Sequence, residues 1–183
     1  MTLGFRLRFP AKDIQALAER YWDYGTEKDR ALEIEIENEI SPQVCKRGYY
    51  TQTEFLKLAE WKSKRPRRHY KKNLEEYVQE VTRISLGARN ERIRIESLML
   101  LDGVNWPTAS VLLHFGSRDR YPILDFRALW SLSTEVPKQY DFDFWWAYTL
   151  CCRRLAEKHK VSMRTLDRAL WTHSKKKPRE DLS

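Results

Sequence analysis

The chain has 183 residues, 42% of them hydrophobic, enough to bury the core of one compact domain. Lys and Arg number 34 against 26 Asp and Glu, and the resulting charge of +8 favours a polyanionic partner such as nucleic acid. No apolar run approaches ~18 residues and no signal-peptide pattern is present, which excludes a membrane-spanning helix.

Residues 11–24, AKDIQALAERYWDY, put Ile14, Leu17, Ala18, Tyr21 and Trp22 on one helical face, and Gly25 is a natural stop. Residues 31–40, ALEIEIENEI, alternate Leu32, Ile34 and Ile36 with polar residues in the manner of a strand. The glutamate-rich composition and the lack of any strand partner favour a helix. Thr51-Gln52-Thr53-Glu54 is a capping box that opens a helix over 52–62, with Phe55, Leu58 and Ala59 inward. The run 63–72, SKRPRRHYKK, reads as a dense basic loop with one aromatic. Asn73 reads as the cap of a helix carrying Leu74, Tyr77, Val78, Val81 and Ile84, which Gly87 breaks.

A helix over 92–101 then meets the turn Asp102-Gly103-Val104-Asn105. Gly103 tolerates positive φ and Asn105 accepts the left-handed region better than most residues. Pro107 fits the first turn of a second helix, which buries Ala109, Val111, Leu112 and Phe115 and closes at Gly116-Ser117. Tyr121-Pro122-Ile123-Leu124 is extended, and Asp125 stands at the mouth of a helix beginning at Phe126. Asp141 or Asp143 starts a helix through Trp145, Trp146, Leu150 and Leu155. Ser162 caps the last one, which carries Met163, Leu166, Leu170 and Trp171.

The expected fold is all-α: a compact multi-helix domain of about eight helices over residues 1–173, with no internal boundary and a mobile basic tail over 174–183. Cys45, Cys151 and Cys152 form neither an even disulfide set nor a metal spacing, so a reducing, cytoplasmic setting is expected, nucleoid-associated or nuclear if the source is eukaryotic. No metal ligand set and no cofactor motif are legible, and a monomer is favoured.

The stretch 98–132 resembles the helix-hairpin-helix DNA glycosylases, the superfamily of endonuclease III and the adenine mismatch glycosylases. Leu101, Gly103-Val104-Asn105 and Thr108-Ala109 match the family hairpin. Tyr121-Pro122-Ile123-Leu124-Asp125 is similar to the run that delivers its catalytic aspartate, 22 residues beyond Gly103. The resemblance implies double-stranded DNA as partner and base excision as the activity. Asn105 stands where the family pattern has its second glycine, and Pro107 where members that also cut the strand carry a lysine. It therefore implies base removal without strand cleavage, since proline forms no Schiff base. The family's four-cysteine iron–sulfur site has no counterpart here.

A glycine turn leading into a helix N-terminus aims backbone N–H groups and the positive dipole end outward, as a DNA phosphate requires. The candidates are Gly103, Val104, Asn105 and Trp106, with the Thr108 hydroxyl as helper. Asp125 is the candidate catalytic carboxylate, stabilising the sugar cation or activating water as the glycosidic bond breaks. An aspartate at that position is equally a helix N-cap. A flipped base needs an aromatic-lined pocket, for which Trp61, Tyr121 and Phe126 are candidates, Trp106 being a further aromatic in reach of the motif. Lys62, Lys64, Arg65, Arg67 and Arg68 are candidates for the DNA backbone. Lys62 is also an alternative nucleophile, and Glu54 an alternative acidic catalyst that its capping box already explains. Against the enzyme stands a second reading, a non-catalytic helix-hairpin-helix DNA-binding module. A protein–protein adaptor is the third.

Overall fold

Helix is the only regular structure among the residues that the computed structural model describes, 4–117 and 121–175. The fold is all-α. The sequence gives no sign of an internal boundary, yet chain contacts divide the described residues into two compact units. A central unit holds Gly25–Tyr121, and a terminal unit joins residues 4–24 to 122–175.

After α1 of the terminal unit (Ile14–Glu19), the central unit begins with α2 (Glu27–Glu35), which a Thr26–Asp29 capping box starts. One π-helical turn, Ile36–Ile40, carries the chain on without a break into α3 (Ser41–Arg47). Ile36, Ile40 and Val44 are buried at four-residue spacing, while Ile34 is 49% exposed. Burial therefore follows the helical period, and the alternation that suggested a strand does not describe the buried face. Next come α4 (Gln52–Lys62), opened by the Thr51–Glu54 capping box, and α5 (Arg67–Tyr70), a single helical turn inside the run that reads as loop. α6 (Glu75–Gly87) and α7 (Glu91–Ser97) follow, then a 3₁₀ turn over Leu98–Leu100 and α8 (Trp106–Gly116).

The unit is built around α8, against which α3, α4 and α7 all pack. Ala109, Val111, Leu112 and Leu113 are fully buried along it. Two carbonyls near its C-terminal end take side-chain donors. Tyr50 donates its hydroxyl to Leu112 O at 2.8 Å, and Ser41 donates to Phe115 O at 2.6 Å. Gly116 is glycine for the same reason: a Cβ there would stand 2.6 Å from the Tyr50 hydroxyl oxygen.

In the terminal unit α1 is flanked by 3₁₀ turns, Ala11–Asp13 and Arg20–Asp23. It packs along α11 (Met163–Lys175), which also receives α9 (Phe126–Ser131) and α10 (Phe142–Lys158). Asp141, rather than Asp143, caps α10, accepting the Phe144 N–H at 2.8 Å. The extended N-terminal segment is tied down by Arg6 N–H to Leu132 O at 2.8 Å and Arg8 N–H to Ser131 O at 2.9 Å. Trp145, Tyr148, Cys152 and Leu166 are fully buried. Ser174 and Lys175, expected in a mobile tail, are the last residues of α11, and Ser174 is buried. The rest of that tail, 176–183, lies outside the described residues. Among the described residues no helix is long and apolar enough to cross a membrane, and no group of His, Cys, Asp or Glu is arranged to hold a metal ion.

Because the Tyr50 hydroxyl occupies the space beside Gly116, Gly116→Ala is expected to overpack the α8 end and cost about 1–3 kcal/mol. Urea unfolding checks this: the midpoint falls at unchanged slope, and an unchanged midpoint would contradict the packing described.

Candidate functional site

The turn between α7 and α8 is held by side chains from an element that precedes it. Asn73 is 2% exposed and does not cap α6, whose N-cap is Leu74 without a side-chain bond. Its Oδ1 accepts the Asp102 N–H at 2.8 Å. Its Nδ2 donates to Asp102 O at 3.1 Å and to Tyr70 O at 2.9 Å. One buried amide thus satisfies both backbone groups of the turn's first residue.

Gly103 follows with φ +84°, as the glycine turn requires. A Cβ there would lie 2.9 Å from His69 Cβ and 3.0 Å from a Tyr70 ring carbon, so α5 is seated directly on the turn. Gly103 is therefore fixed by conformation and by α5 together, whatever it approaches on its other side. Val104 N–H donates to Leu101 O at 3.0 Å and so is spent within the turn, which removes it as an anion donor. Asn105 is extended rather than left-handed. It is the N-cap of α8, its Oδ1 facing Thr108 N and Thr108 Oγ1, each at 3.4 Å. Thr108 is 1% exposed, and its hydroxyl is shared with the Tyr70 hydroxyl at 3.2 Å. Burial and these two partners withdraw it from the helper role. The donors that stay at the α8 entrance are the N–H groups of Gly103 and Asn105, with Trp106 heading the helix.

Because α5 sits on this turn, its cations Arg67 and Arg68 are carried there with it, and Lys64 and Arg65 lead into it. Lys64, Arg65 and Arg68 are exposed. Arg67 is exposed as well and pairs with Glu60 at 3.0 Å. Lys62, in the last turn of α4, is half-buried. Tyr70 is the buried anchor under this basic skin. Its ring meets Phe55 edge-on at 5.8 Å, and burial raises its phenol pKa. Nothing local in the sequence marks Asn73, His69 or Tyr70 as partners of Gly103; only their place within a basic run next to a cap-like Asn was visible.

The aromatic candidates separate. Trp61 is half-buried against Phe115, edge-on at 5.7 Å. Tyr121 is 1% exposed, its hydroxyl donating to Glu91 at 2.6 Å and its carbonyl 2.6 Å from His114 Nδ1. Tyr121 is a core residue and has no face left to stack a base. Glu54 is occupied by its capping box and by an ion pair with Arg47. Its local role accounts for it fully.

Asp125 belongs to the terminal unit. The buried run Ile123-Leu124 leads into it, and its Oδ1 accepts the Arg127 N–H at 2.9 Å as the N-cap of α9. The carboxylate is half-buried and its charge is felt by several neighbours. Burial first, and then the Asp125 charge, push the Tyr140 phenol up to about 12. Burial pushes Tyr148 well above its ordinary value, with a smaller contribution from Asp125. Burial and the Arg127 charge lower Lys175, while Asp125 pulls it back up. Arg127 itself is fixed, donating to Ser174 O at 2.9 Å and lying 5.3 Å from the Phe126 ring, which is half-buried beneath it. Asp125 is thus a carboxylate in a partly desolvated setting of phenols and cations, where its charge acts more strongly than in water.

Comparison of the chain with known protein families, with curated proteins and with solved structures gave no match.

The Tyr140–Asp125 coupling has a measurable sign. Tyr140 is expected to ionise near pH 12, and Asp125→Asn to move it down while leaving it above ~10, since burial is the larger cause. A phenol raised in the folded state adds stability that is present below pH ~10 and lost as pH rises toward 12. Phenolate absorbance of the two proteins checks the shift; an identical Tyr140 titration would separate the two groups.

Proposed function

We propose that α7, the turn at 101–105 and α8 form a helix-hairpin-helix that binds duplex DNA. In this reading the chain is a glycosylase-like enzyme that hydrolyses the N-glycosidic bond of a flipped damaged or modified base with Asp125. The single observation that carries the reading is the seating of the basic α5 segment on the Gly103 turn. A phosphate at the α8 entrance would meet the Gly103 and Asn105 N–H groups and the positive helix end. It would meet them beside the cations of 64–68, so that directional donors and long-range attraction act on the same strand.

For the chemistry, rupture of the glycosidic bond leaves positive charge on the sugar, and an ionised carboxylate stabilises it or takes a proton from the incoming water. Asp125 is held by its N-cap bond in one orientation, and the charges of Arg127 and Lys175 act near it. Phe126, in the same unit as Asp125, stays as a candidate to stack the extruded base. Pro107, in the first turn of α8, offers no amine, so the product is an intact strand with an abasic site.

A non-catalytic DNA-binding module is the second reading. It is favoured by the one observation that the Arg127 N–H bond by itself explains an aspartate at 125.

Duplexes carrying uracil, hypoxanthine, 8-oxoguanine, alkylated bases or mismatches, treated with alkali after incubation, decide between the two. The enzyme reading expects alkali-dependent cleavage that Asp125→Asn reduces by at least ~100-fold, with no borohydride-trapped adduct. Duplex affinity of the variant should stay the same, falling with salt as in the parent. Binding without abasic product on any substrate would leave the module reading. Undiminished activity in Asp125→Asn would remove Asp125 from the mechanism.

A further inference from the structure

Cations also gather around a hollow elsewhere in the central unit. A cleft of about 390 Å³ opens where the ends of α3, α6 and α8 meet α7, and Arg47, Arg83 and Arg94 line it. Among the described residues no acidic side chain does. The volume is within the range of ordinary small-molecule sites.

Helix C-termini carry unpaired carbonyls and negative dipole ends, so arginines at such a place are first of all caps. Two of the three are already engaged by carbonyls and carboxylates. Arg94 donates to Leu86 O at 2.9 Å and to Ala88 O, with Glu91 3.6 Å from its Nε. Arg47 donates to Tyr49 O at 3.1 Å and pairs with Glu54. Arg83 is different. It is exposed, and among the described residues it makes no ion pair; its guanidinium lies 4.5 Å from the centre of the Tyr49 ring. The Arg47 guanidinium lies 4.8 Å from the same ring. One aromatic thus holds two like charges close together, and only one of them has a carboxylate. Such a pair is short of one negative charge.

Gly87 adds an independent sign. Its φ is not positive, and a Cβ there would meet no heavy atom within 4 Å. Neither backbone conformation nor packing demands glycine at this position in α6, where alanine is the better helix former. The effect of glycine is to leave the lining of the cleft bare.

We propose that this cleft is a phosphate-binding site, with Arg83 as its principal ligand and Arg47 completing the charge. A guanidinium recognises a phosphate through two parallel N–H···O bonds, which an exposed Arg83 without a carboxylate partner can supply. The phosphate would come either from a small phosphoester of nucleotide size or from a DNA backbone. The proposal does not rest on the activity proposed above.

The test uses the full chain at low salt, with pyrophosphate and deoxyadenosine monophosphate titrated calorimetrically and a duplex titrated by fluorescence anisotropy. Both small probes are expected to bind at one site. Arg83→Gln should weaken them at least tenfold, Arg83→Lys less, and Gly87→Leu should weaken them by filling the hollow. Lys28→Gln, at an exposed cation outside the cleft, should leave them unchanged. If the bound phosphate is DNA's, Arg83→Gln also weakens the duplex and the monophosphate competes with it. If it is a free phosphoester's, duplex affinity stays the same; either result upholds the site. Failure of both small probes to bind, or equal binding to parent and Arg83→Gln at unchanged melting temperature, overturns it.

Discussion

The turn from Leu101 to Asn105 depends on one buried side chain, Asn73. Its amide takes both the N–H and the C=O of Asp102 and also reaches Tyr70 O. A tight turn between two helices leaves backbone groups that water would otherwise satisfy, and inside a core each orphan costs ~1–3 kcal/mol. With Asn73 in place the turn can be both buried on one side and rigid. Gly103 then admits His69 and Tyr70, Tyr70 reaches Thr108, and Thr108 meets the Asn105 cap of α8. Sequence segments far apart in the chain thus share one polar and packing network, which links α5 to the start of α8.

That network decides what the surface around the turn can do. Arg67 and Arg68 ride on a helix turn whose His69 and Tyr70 are docked to Gly103, and Lys64 and Arg65 lead into that turn. It also limits the donors. Val104 N–H and the Thr108 hydroxyl are consumed in making the turn, and the proposed grip narrows to Gly103 and Asn105 with Trp106 behind them. Asp125 is organised separately, within the terminal unit, by its own cap bond and by a ring of phenols and cations.

What the sequence made legible was local. The Thr51–Glu54 capping box, the positive φ of Gly103, the Pro107 start of α8 and the Asp125 cap each follow from a few adjacent residues, and each stands in the fold. Asn73 was misleading because an asparagine before a helix is ordinarily a cap, whereas here its partner is 29 residues away. Asn105 misled for a related reason: its side chain caps α8, which calls for extended backbone, so the left-handed region was never needed. Tyr121 looked like a ring beside a catalytic aspartate, and only the fold shows it bonded to Glu91 and sealed in a core. The 31–40 alternation was resolved by burial at four-residue spacing, a property of the packed helix rather than of the pattern.

The central claim is that the Gly103–Asn105 turn is a phosphate grip, and backbone amide resonances test it most directly. Titrating an isotope-labelled chain with a short duplex at low salt should shift the Gly103 and Asn105 amides early and strongly. The Val104 amide, bonded to Leu101 O, should respond less. Saturating duplex binding that leaves the Gly103 and Asn105 amides unmoved would contradict the account.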